Sequence, residues 1–246
     1  MPEKTVPIRP RALILAAGRG ERMRPLTDST PKPLLEVQGQ ALIEYHLQAL
    51  AAAGVQEVVI NTAWLEEQFP ARLGDGSRWG LNIRYSMEGR DHGGALETAG
   101  GMAQALPWLC EGPDPVFWVV AGDVFLPGFG FDAAEAADFA RSPAWGRLWL
   151  VANAPHHPQG DFAIDGDGLA TATPADPATP KRTWASVGLF RPQMVSTVQA
   201  GSRMALRPCL DRAMAAGRLQ ARAYDGQWTD VGTVERLNAL NQPGVR

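Results

Sequence analysis

Four basic side chains lie between and after two glycines near the start of the chain, in the segment AAGRGERMRPLTDSTPKPLL. They place four positive charges within 14 positions of a chain whose formal net charge is −3, at Arg19, Arg22, Arg24 and Lys32. Gly18 and Gly20 allow the backbone to approach a ligand closely, and successive N–H groups can form an anion-binding concavity. These residue types predict a polyphosphate site, although the composition alone fits a surface loop of solvated arginines equally well.

Two common phosphate-binding motifs do not fit this segment. The dinucleotide fingerprint G-x-G-x-x-G must lead directly into a helix, and here Met23 stands in the third glycine position. A long helix cannot start there, because each proline lacks an N–H and restrains the residue before it, at Pro25, Pro31 and Pro33. The P-loop motif G-x-x-x-x-G-K-[ST] is absent from the segment. We therefore predict a strand, a glycine turn and a long basic loop.

A carboxylate follows the most apolar strand of the chain. Asp123 comes directly after the run VFWVVAG, and ligands of open α/β sheets collect at the carboxyl ends of strands. A carboxylate in that place suits a hard divalent cation that shares its oxygen ligands with phosphates. No G-x-S-x-G motif and no persuasive Cys/His pair indicates a nucleophilic side chain.

The elements that must position these residues alternate between strand and helix. Apolar runs predict strands at 12–17, 57–61, 81–86 and 116–123, and helical periodicity predicts helices at 41–53, 64–73 and 98–109. Further strands are expected at 147–153, 161–165, 183–190 and 219–224, with helices near 193–199, 205–216 and from about 233. This alternation predicts an α/β domain with a mostly parallel sheet. Residues 167–182 are rich in Pro, Ala and Thr and are expected to form an exposed loop.

Composition limits the classes of partner. The 246 residues are 45% hydrophobic and have a sequence pI of about 5.8, without the basic excess of a nucleic-acid binder. The N-terminal residues lack the apolar core of a signal peptide, and no run of about 18 apolar residues indicates a membrane span. Two cysteines form neither a metal-type cluster nor a disulfide framework. We expect a cytoplasmic protein that binds neither nucleic acid nor membrane.

Taken as a whole, LAAGRGERMRPLT…PKPLL resembles the signature of the sugar-1-phosphate nucleotidyltransferases, and LETAGGM, VVAGDV and WTDVGT continue the resemblance in order. It implies one Rossmann-like domain over 1–246, with a mostly parallel mixed sheet flanked by helices and a small β insertion for sugar binding. The nucleotide-binding half is expected at about 12–125, and the sugar-binding half with the C-terminal helices at about 126–246. We expect no additional C-terminal domain.

The resemblance also implies a reaction between two small molecules, a nucleoside triphosphate and a sugar 1-phosphate. The sugar phosphate attacks the α-phosphorus in line, with Mg²⁺ as cofactor, and pyrophosphate leaves. Within the family, GERMRPLT, LGDGSRWGLNIRYS and APHHPQGDF are most similar to bacterial enzymes of cell-wall recycling that join UTP to N-acetylmuramate 1-phosphate. The alternatives are a glucose- or mannose-1-phosphate enzyme using dTTP or GTP, and a non-catalytic nucleotide-binding regulatory relative. A monomer or small homo-oligomer is expected.

Site residues follow from the same resemblance. The catalytic set is Arg22, Lys32 and Asp123, and the metal ligands are Asp123 and Asp230. The nucleotide is expected to contact Ala17, Gly18, Gly20, Glu21, Arg22, Lys32, Glu88, Thr98 and Ala121. The sugar is expected to contact Asn153, Gly160, Thr183 and Ser186.

Two features of the sugar side stay open. His156 and His157 are candidates for contact with an acidic lactyl group, although adjacent histidines in a Pro-flanked loop are also typical of an exposed loop. Many relatives hold the sugar phosphate with a Glu-Lys pair, whereas residues 180–182 read Pro-Lys-Arg without the glutamate. The resemblance therefore names no anchor for the sugar phosphate. The loop at 89–95 is longer than is usual in the family.

Overall fold

The computed structural model describes residues 10–110 and 115–242. The described strands are β1 (Arg11–Leu15), β2 (Glu36–Val37), β3 (Gln40–Ala41), β4 (Glu57–Thr62), β5 (Asn82–Met87), β6 (Phe117–Ala121), β7 (Val124–Phe125), β8 (Gly146–Val151), β9 (Ala163–Ile164), β10 (Ala170–Thr171), β11 (Thr183–Phe190), β12 (Leu219–Ala223) and β13 (Thr229–Asp230). The described α-helices are α1 (Leu26–Ser29), α2 (Leu42–Ala52), α3 (Gln68–Leu73), α4 (Glu88–His92), α5 (Glu97–Leu109), α6 (Ala133–Arg141), α7 (Arg207–Ala215) and α8 (Val234–Leu240).

Seven of the described strands form the central sheet, in the order β12-β8-β11-β6-β1-β4-β5. Strand β1 pairs in parallel with β4 and β6, β4 with β5, and β8 with β12. Among these described strands, β11 alone runs antiparallel to its neighbours β6 and β8. The predicted α/β fold with a mostly parallel mixed sheet is confirmed.

Strand β6 shows why the sheet is covered on both faces. Side chains alternate between the two faces of a strand. Trp118 and Val120 pack into one core with residues of α2, α3 and α6, whereas Phe117 and Val119 pack into a second core with residues of α5 and α7. All four side chains are fully buried, which explains the uninterrupted apolar run in this part of the sequence.

The segment between β1 and α2 contains no long helix, as the prolines predict. It forms a 3₁₀ turn at Glu21–Met23, the four-residue helix α1 and a second 3₁₀ turn at Lys32–Leu34. Strands β2 and β3 form a small hairpin before α2 begins. The basic loop is therefore a chain of tight turns that wraps across the end of the sheet.

Other elements differ from the sequence-based prediction. Helix α6 was not predicted, although Asp132 caps it by accepting a hydrogen bond from the Ala134 N–H at 2.7 Å. The helix expected near 193–199 is only a 3₁₀ turn at Pro192–Val195. The strand expected at 161–165 shortens to β9, which pairs with β10 in a separate two-stranded sheet. Within the described residues, no helix combines the length and the apolar character needed to cross a bilayer.

Candidate active site

A cleft of about 570 Å³ opens at the carboxyl ends of three parallel strands. Leu15 ends β1, Ala121 ends β6 and Asn61 lies near the end of β4, and all three line the cleft. This is the edge at which open α/β sheets bind their ligands. The other lining residues come from the basic loop, from residues 95–98 and from Asp123 and Gly232.

The glycine turn after β1 forms one wall of the cleft. Ala17, Gly18, Gly20 and Glu21, four of the expected nucleotide contacts, all line it. Gly20 has a φ of 68°, and a Cβ placed there would lie 3.0 Å from Thr27 Cγ2. The Thr27 hydroxyl donates a hydrogen bond to the Gly20 carbonyl at 2.9 Å. A side chain at this position would therefore strain the backbone and push against Thr27.

The four basic residues of the loop divide into two groups. Arg19 donates to Asp28 at 3.1 Å and stacks 3.5 Å above the Trp64 ring, and Arg24 pairs with the same aspartate at 3.3 Å. Both arginines therefore fold the loop. Arg22 lines the cleft, is exposed, and has no hydrogen-bond or ion-pair partner among residues 10–110 and 115–242. Its guanidinium is available to an anionic ligand.

Lys32 lies between two carboxylates. Lys32 is 7% exposed. Its Nζ donates to Asp123 Oδ2 at 2.6 Å and lies 3.9 Å from Asp230 Oδ1. Strands β7 and β13 bring the two aspartates together, because their antiparallel pairing sets Asp230 opposite Val124. The structure thus joins residues that sequence spacing could not pair. It places Arg22, Lys32 and Asp123 on the wall of one cleft, with Asp230 beside them.

The two carboxylates fit a divalent metal ion. Asp123 and Asp230 have 35% and 29% of their side chains exposed, and both already reach one cationic group. Within residues 10–110 and 115–242, no three His, Cys, Asp or Glu side chains form a complete metal site. A metal here would therefore take its remaining ligands from phosphate oxygens and water, which is the coordination that Mg²⁺ favours.

Arg236 is a further residue of the site that sequence reasoning missed. Its Nη1 donates to Asp230 Oδ2 at 2.8 Å and to the Asp230 carbonyl at 2.9 Å. The same nitrogen lies 2.8 Å from His156 Nε2, which connects α8 to the loop after β8. The segment WTDVGTVER carries this arginine six positions after Asp230, but residue spacing alone gives no sign that the side chain turns back.

A buried histidine contacts the backbone next to Asp123. His46 is 1% exposed and lies 3.0 Å from the Val124 carbonyl through its Nε2, which therefore carries the proton. Burial lowers the pKa of His46 to about 4, because the apolar surroundings disfavour its charged form. The ring is neutral near pH 7 and acts as a hydrogen-bond donor to the backbone next to Asp123.

A second buried polar group supports the opposite wall of the cleft. Asn61 accepts a hydrogen bond from the Ala16 N–H at 2.9 Å and donates to Glu88 Oε1 at 2.8 Å. Glu88 Oε2 accepts from the Leu96 N–H at 2.8 Å, and burial raises the pKa of this carboxyl. Glu88 was expected to contact the nucleotide, but it is fully buried and does not line the cleft. It joins β4 to the segment that carries Thr98, which does line the cleft.

The residues expected to contact the sugar form a cluster of their own. Asn153 donates to the carbonyls of Pro158 and Lys181, at 3.0 and 2.9 Å, and accepts from the Thr183 hydroxyl at 2.9 Å. Gly160 packs against the same Asn153, where a Cβ would lie 2.7 Å from its Oδ1.

These bonds fix the loop between β8 and β9 to the start of β11. Ser186, the fourth expected residue, lies at the irregularity of β11 with a φ of 58°. His157 is 3.1 Å from Asp161, so the two adjacent histidines have different partners. Within the described residues, the 570 Å³ cleft is lined by none of the four expected sugar contacts.

Comparisons with known proteins find relatives that match nearly the whole chain. A curated N-acetylmuramate alpha-1-phosphate uridylyltransferase of Neisseria meningitidis is 49% identical over 228 residues, which cover 92% of this chain and 95% of that protein. The protein of the same name from Caulobacter vibrioides is 34% identical over 227 residues, with 90% and 91% covered. The crystal structure of a proposed glucose-1-phosphate thymidylyltransferase of Bacillus anthracis has a TM-score of 0.77 at 19% identity, covering 94% of this chain and 93% of that one. At that identity the likeness concerns the fold.

The family comparison covers almost the whole of the fold and the cleft. The profile described as nucleotidyl transferase matches residues 11–243, from the first residue of β1 to beyond α8. The match includes the glycine turn, the Lys32–Asp123 pair and Asp230. This chain belongs to the nucleotidyl transferase family.

Proposed function

We propose that the chain transfers the uridylyl group of UTP to N-acetylmuramate 1-phosphate, forming UDP-N-acetylmuramate and releasing pyrophosphate. The observation that carries this choice of substrates is the 49% identity, over 92% of the chain, to the N. meningitidis protein of that activity. Small-molecule substrates and a divalent metal are general in the family to which the chain belongs.

The nucleotide occupies the 570 Å³ cleft in this proposal. The backbone of the glycine turn, with Ala17, Gly18, Gly20 and Glu21 on the wall, approaches the triphosphate closely. Thr98 and Ala121 line the same space and complete the nucleotide site. Glu88 contributes indirectly, because its buried carboxylate fixes the Leu96 backbone at the edge of this segment.

In this reaction the protein has to supply positive charge, and it does not have to supply a general base. The attacking oxygen of the sugar phosphate is already ionised, so no proton has to be removed. A bond forms from that oxygen to the α-phosphorus, the bond to the bridging oxygen breaks, and pyrophosphate leaves with the electron pair. Positioning and neutralisation of negative charge are then the main tasks of the protein.

Two side chains of the basic loop carry out these tasks. Lys32 is held between Pro31 and Pro33 and is 7% exposed, which gives its ammonium a fixed position beside the α-phosphate. Arg22 has a planar guanidinium at the cleft without a partner among the described residues, and it neutralises the departing pyrophosphate.

Asp123 and Asp230 are the proposed ligands of Mg²⁺. When bound, the ion orients the triphosphate and offsets its negative charge. The ion pairs of Lys32 with both carboxylates keep the three groups together before substrates arrive. Arg236 adds a second cation next to Asp230 and holds that carboxylate in place.

The sugar side is proposed to use the loop fixed by Asn153, Gly160 and Thr183, together with Ser186. Strands of the two halves lie side by side in the one central sheet, with β6, β1, β4 and β5 from about 12–125 and β12, β8 and β11 from about 126–246. We also propose that these halves form a single domain and that the protein is a monomer or a small homo-oligomer.

A panel of substrates tests the proposal. Purified protein with Mg²⁺ receives UTP, dTTP, GTP or CTP together with the 1-phosphates of N-acetylmuramate, N-acetylglucosamine, glucose or mannose, and pyrophosphate release is measured. UTP with N-acetylmuramate 1-phosphate is expected to give the highest kcat/KM. Equal or higher values for another pair would overturn the choice of substrates, and nucleotide binding without turnover of any pair would overturn the enzymatic role.

A further inference from the structure

Within the part of the chain that the structure describes, Arg236 has one edge of its guanidinium engaged and the other edge free. All three of its hydrogen-bond contacts run through Nη1, to the two oxygens of Asp230 and to His156 Nε2. Among residues 10–110 and 115–242, its Nε and Nη2 donate no hydrogen bond. The side chain is 20% exposed, so it is held against the protein while this second edge still reaches solvent. Nε and Nη2 form the two-donor fork that binds a carboxylate or phosphate in bidentate fashion.

Gly232 shows where that free edge points. A Cβ built on Gly232 would lie 2.7 Å from Arg236 Nη2, 3.2 Å from Arg22 Nη2 and 3.0 Å from Asp230 Oδ2. The absence of a side chain at Gly232 therefore lets both guanidinium groups and the Asp230 carboxylate lie close to this point of the backbone. Gly232 also lines the 570 Å³ cleft. Arg22 is proposed for the pyrophosphate, and the free edge of Arg236 beside it forms a site for a second anion.

The contact with His156 places this anion site toward the sugar side. His156 belongs to the loop after β8, whose backbone is fixed by Asn153, and Arg236 bridges that loop to Asp230. We propose that the free edge of Arg236 binds the phosphate of the sugar 1-phosphate and so aligns it for attack. This inference rests on the proposed function. It assigns the sugar-phosphate contact to Arg236, because residues 180–182 lack the Glu-Lys pair that holds this phosphate in many relatives.

The other basic candidates are less well placed. Arg182 donates to Asp225 at 3.3 Å, an exposed carboxylate. Lys181 follows the exposed loop of residues 172–180 and, within the described residues, it does not line the cleft. Arg236 has a fixed position next to Asp230, whereas Lys181 has no described contact that would hold its ammonium there.

The test measures binding rather than turnover. Calorimetry with Mg²⁺ and α,β-methylene-UTP, which cannot release pyrophosphate, gives the affinity for three ligands: N-acetylmuramate 1-phosphate, N-acetylglucosamine 1-phosphate and N-acetylmuramate. The first two share the phosphate, and the first and third share the lactyl carboxylate. The variant is Arg236→Gln, which keeps one donor toward Asp230. Its matched control is Arg207→Gln, because Arg207 is an exposed arginine paired with Asp211 on the surface of α7.

The proposal predicts that Arg236→Gln weakens binding of both sugar 1-phosphates by about 30-fold or more, weakens binding of the nucleotide analogue far less, and leaves binding of N-acetylmuramate unchanged. Weakening of only the two ligands with a lactyl group would assign Arg236 to the carboxylate and overturn the proposal. Weakening of the nucleotide analogue alone would assign it to the triphosphate, with the same consequence.

Two further outcomes separate this inference from the proposed function. If Lys181→Ala weakens the sugar 1-phosphates and Arg236→Gln does not, Lys181 is the anchor and the inference fails while the function stands. If the wild-type chain binds neither sugar 1-phosphate, the proposed function itself fails. Arg207→Gln is expected to match the wild type for every ligand.

Discussion

Replacing Asn61 by Asp is expected to test the buried polar network beneath the cleft with almost no change in side-chain shape. Asn61 is 2% exposed, and its Nδ2 donates to Glu88 Oε1 at 2.8 Å in a site where Glu88 is fully buried. The Asn61→Asp substitution turns that donor into a second carboxylate oxygen. Two adjacent buried carboxylates cannot both stay ionised, so one of them takes up a proton.

The expected loss of stability is set by whichever of two responses costs less free energy. Either both carboxylates stay ionised and repel each other, or one of them is protonated. Repulsion of two charges 2.8 Å apart amounts to about 6 kcal/mol at an effective dielectric constant of about 20. Protonating a carboxyl with an ordinary pKa of about 3.9 costs about 4 kcal/mol at pH 7, at 1.36 kcal/mol per pH unit. Protonation is the cheaper route, and the new proton can restore the hydrogen bond to Glu88. We therefore expect Asn61→Asp to lower the free energy of unfolding by about 4 kcal/mol at pH 7.

The pH dependence is the distinctive part of this prediction. The folded variant binds one proton more than its unfolded chain, so the loss relative to wild type shrinks by about 1.4 kcal/mol per pH unit below pH 7 and vanishes near pH 4. Urea denaturation of both proteins at pH 7, 6, 5 and 4 measures it. A loss that is absent at pH 7, or equal at every pH, would refute a buried carboxylate pair at positions 61 and 88.

The chain offers a matched control for this substitution. Asn82 is exposed and donates from its Nδ2 to both oxygens of Glu57 at 3.0 Å, so Asn82→Asp also sets a carboxylate against a carboxylate. Solvent screens that pair, and we expect a loss of less than about 1 kcal/mol with little pH dependence.

Three further outcomes are expected. Asp123→Asn is expected to abolish most turnover with Mg²⁺ while near-ultraviolet circular dichroism stays unchanged, because a proposed metal ligand is lost; a near-normal rate would remove Asp123 from the metal site. Lys32→Met is expected to lower kcat by about 100-fold without altering sugar preference, since it removes a fixed cation at the α-phosphate; altered preference at a normal rate would contradict that role. His46 has a folded pKa of about 4, below its ordinary value of 6.5, so the unfolded chain binds the extra proton and stability falls as pH drops from about 6.5 to about 4. His46→Gln keeps a donor for the Val124 carbonyl. In urea denaturation, its free energy of unfolding is expected to fall by about 3 kcal/mol less than that of the wild type over this pH range. The same fall in both proteins would show that His46 is not buried in its neutral form.

Local sequence patterns were enough to predict most of the sheet. The run VFWVVAG is apolar at every position of β6 because both faces of that strand are covered, and the prolines after Met23 exclude a long helix. Helix α6 escaped prediction because the alanine-rich segment after Asp132 has few large apolar side chains to mark its buried face. The helix expected near 193–199 is limited to a 3₁₀ turn, a difference that the apolar spacing did not reveal.

The site could be predicted only where a single local segment carries it. Arg22 and Lys32 belong to one loop, and both line the cleft. Asp123 and Asp230 are joined by the pairing of β7 and β13, a tertiary contact for which residue spacing gives no signal. The position of Arg236 depends on the direction in which a side chain turns back from α8, and the burial of Glu88 depends on packing around Asn61. Neither could be read from residue types.

The central claim is that this chain selects UTP and N-acetylmuramate 1-phosphate, and competition tests it most directly. Wild-type protein, Mg²⁺ and UTP are given equal concentrations of N-acetylmuramate 1-phosphate, N-acetylglucosamine 1-phosphate and glucose 1-phosphate, and mass spectrometry measures the initial ratio of the nucleotide sugars formed. The ratio of products equals the ratio of kcat/KM values, and UDP-N-acetylmuramate is predicted to dominate. An equal mixture, or an excess of UDP-N-acetylglucosamine or UDP-glucose, would contradict the account.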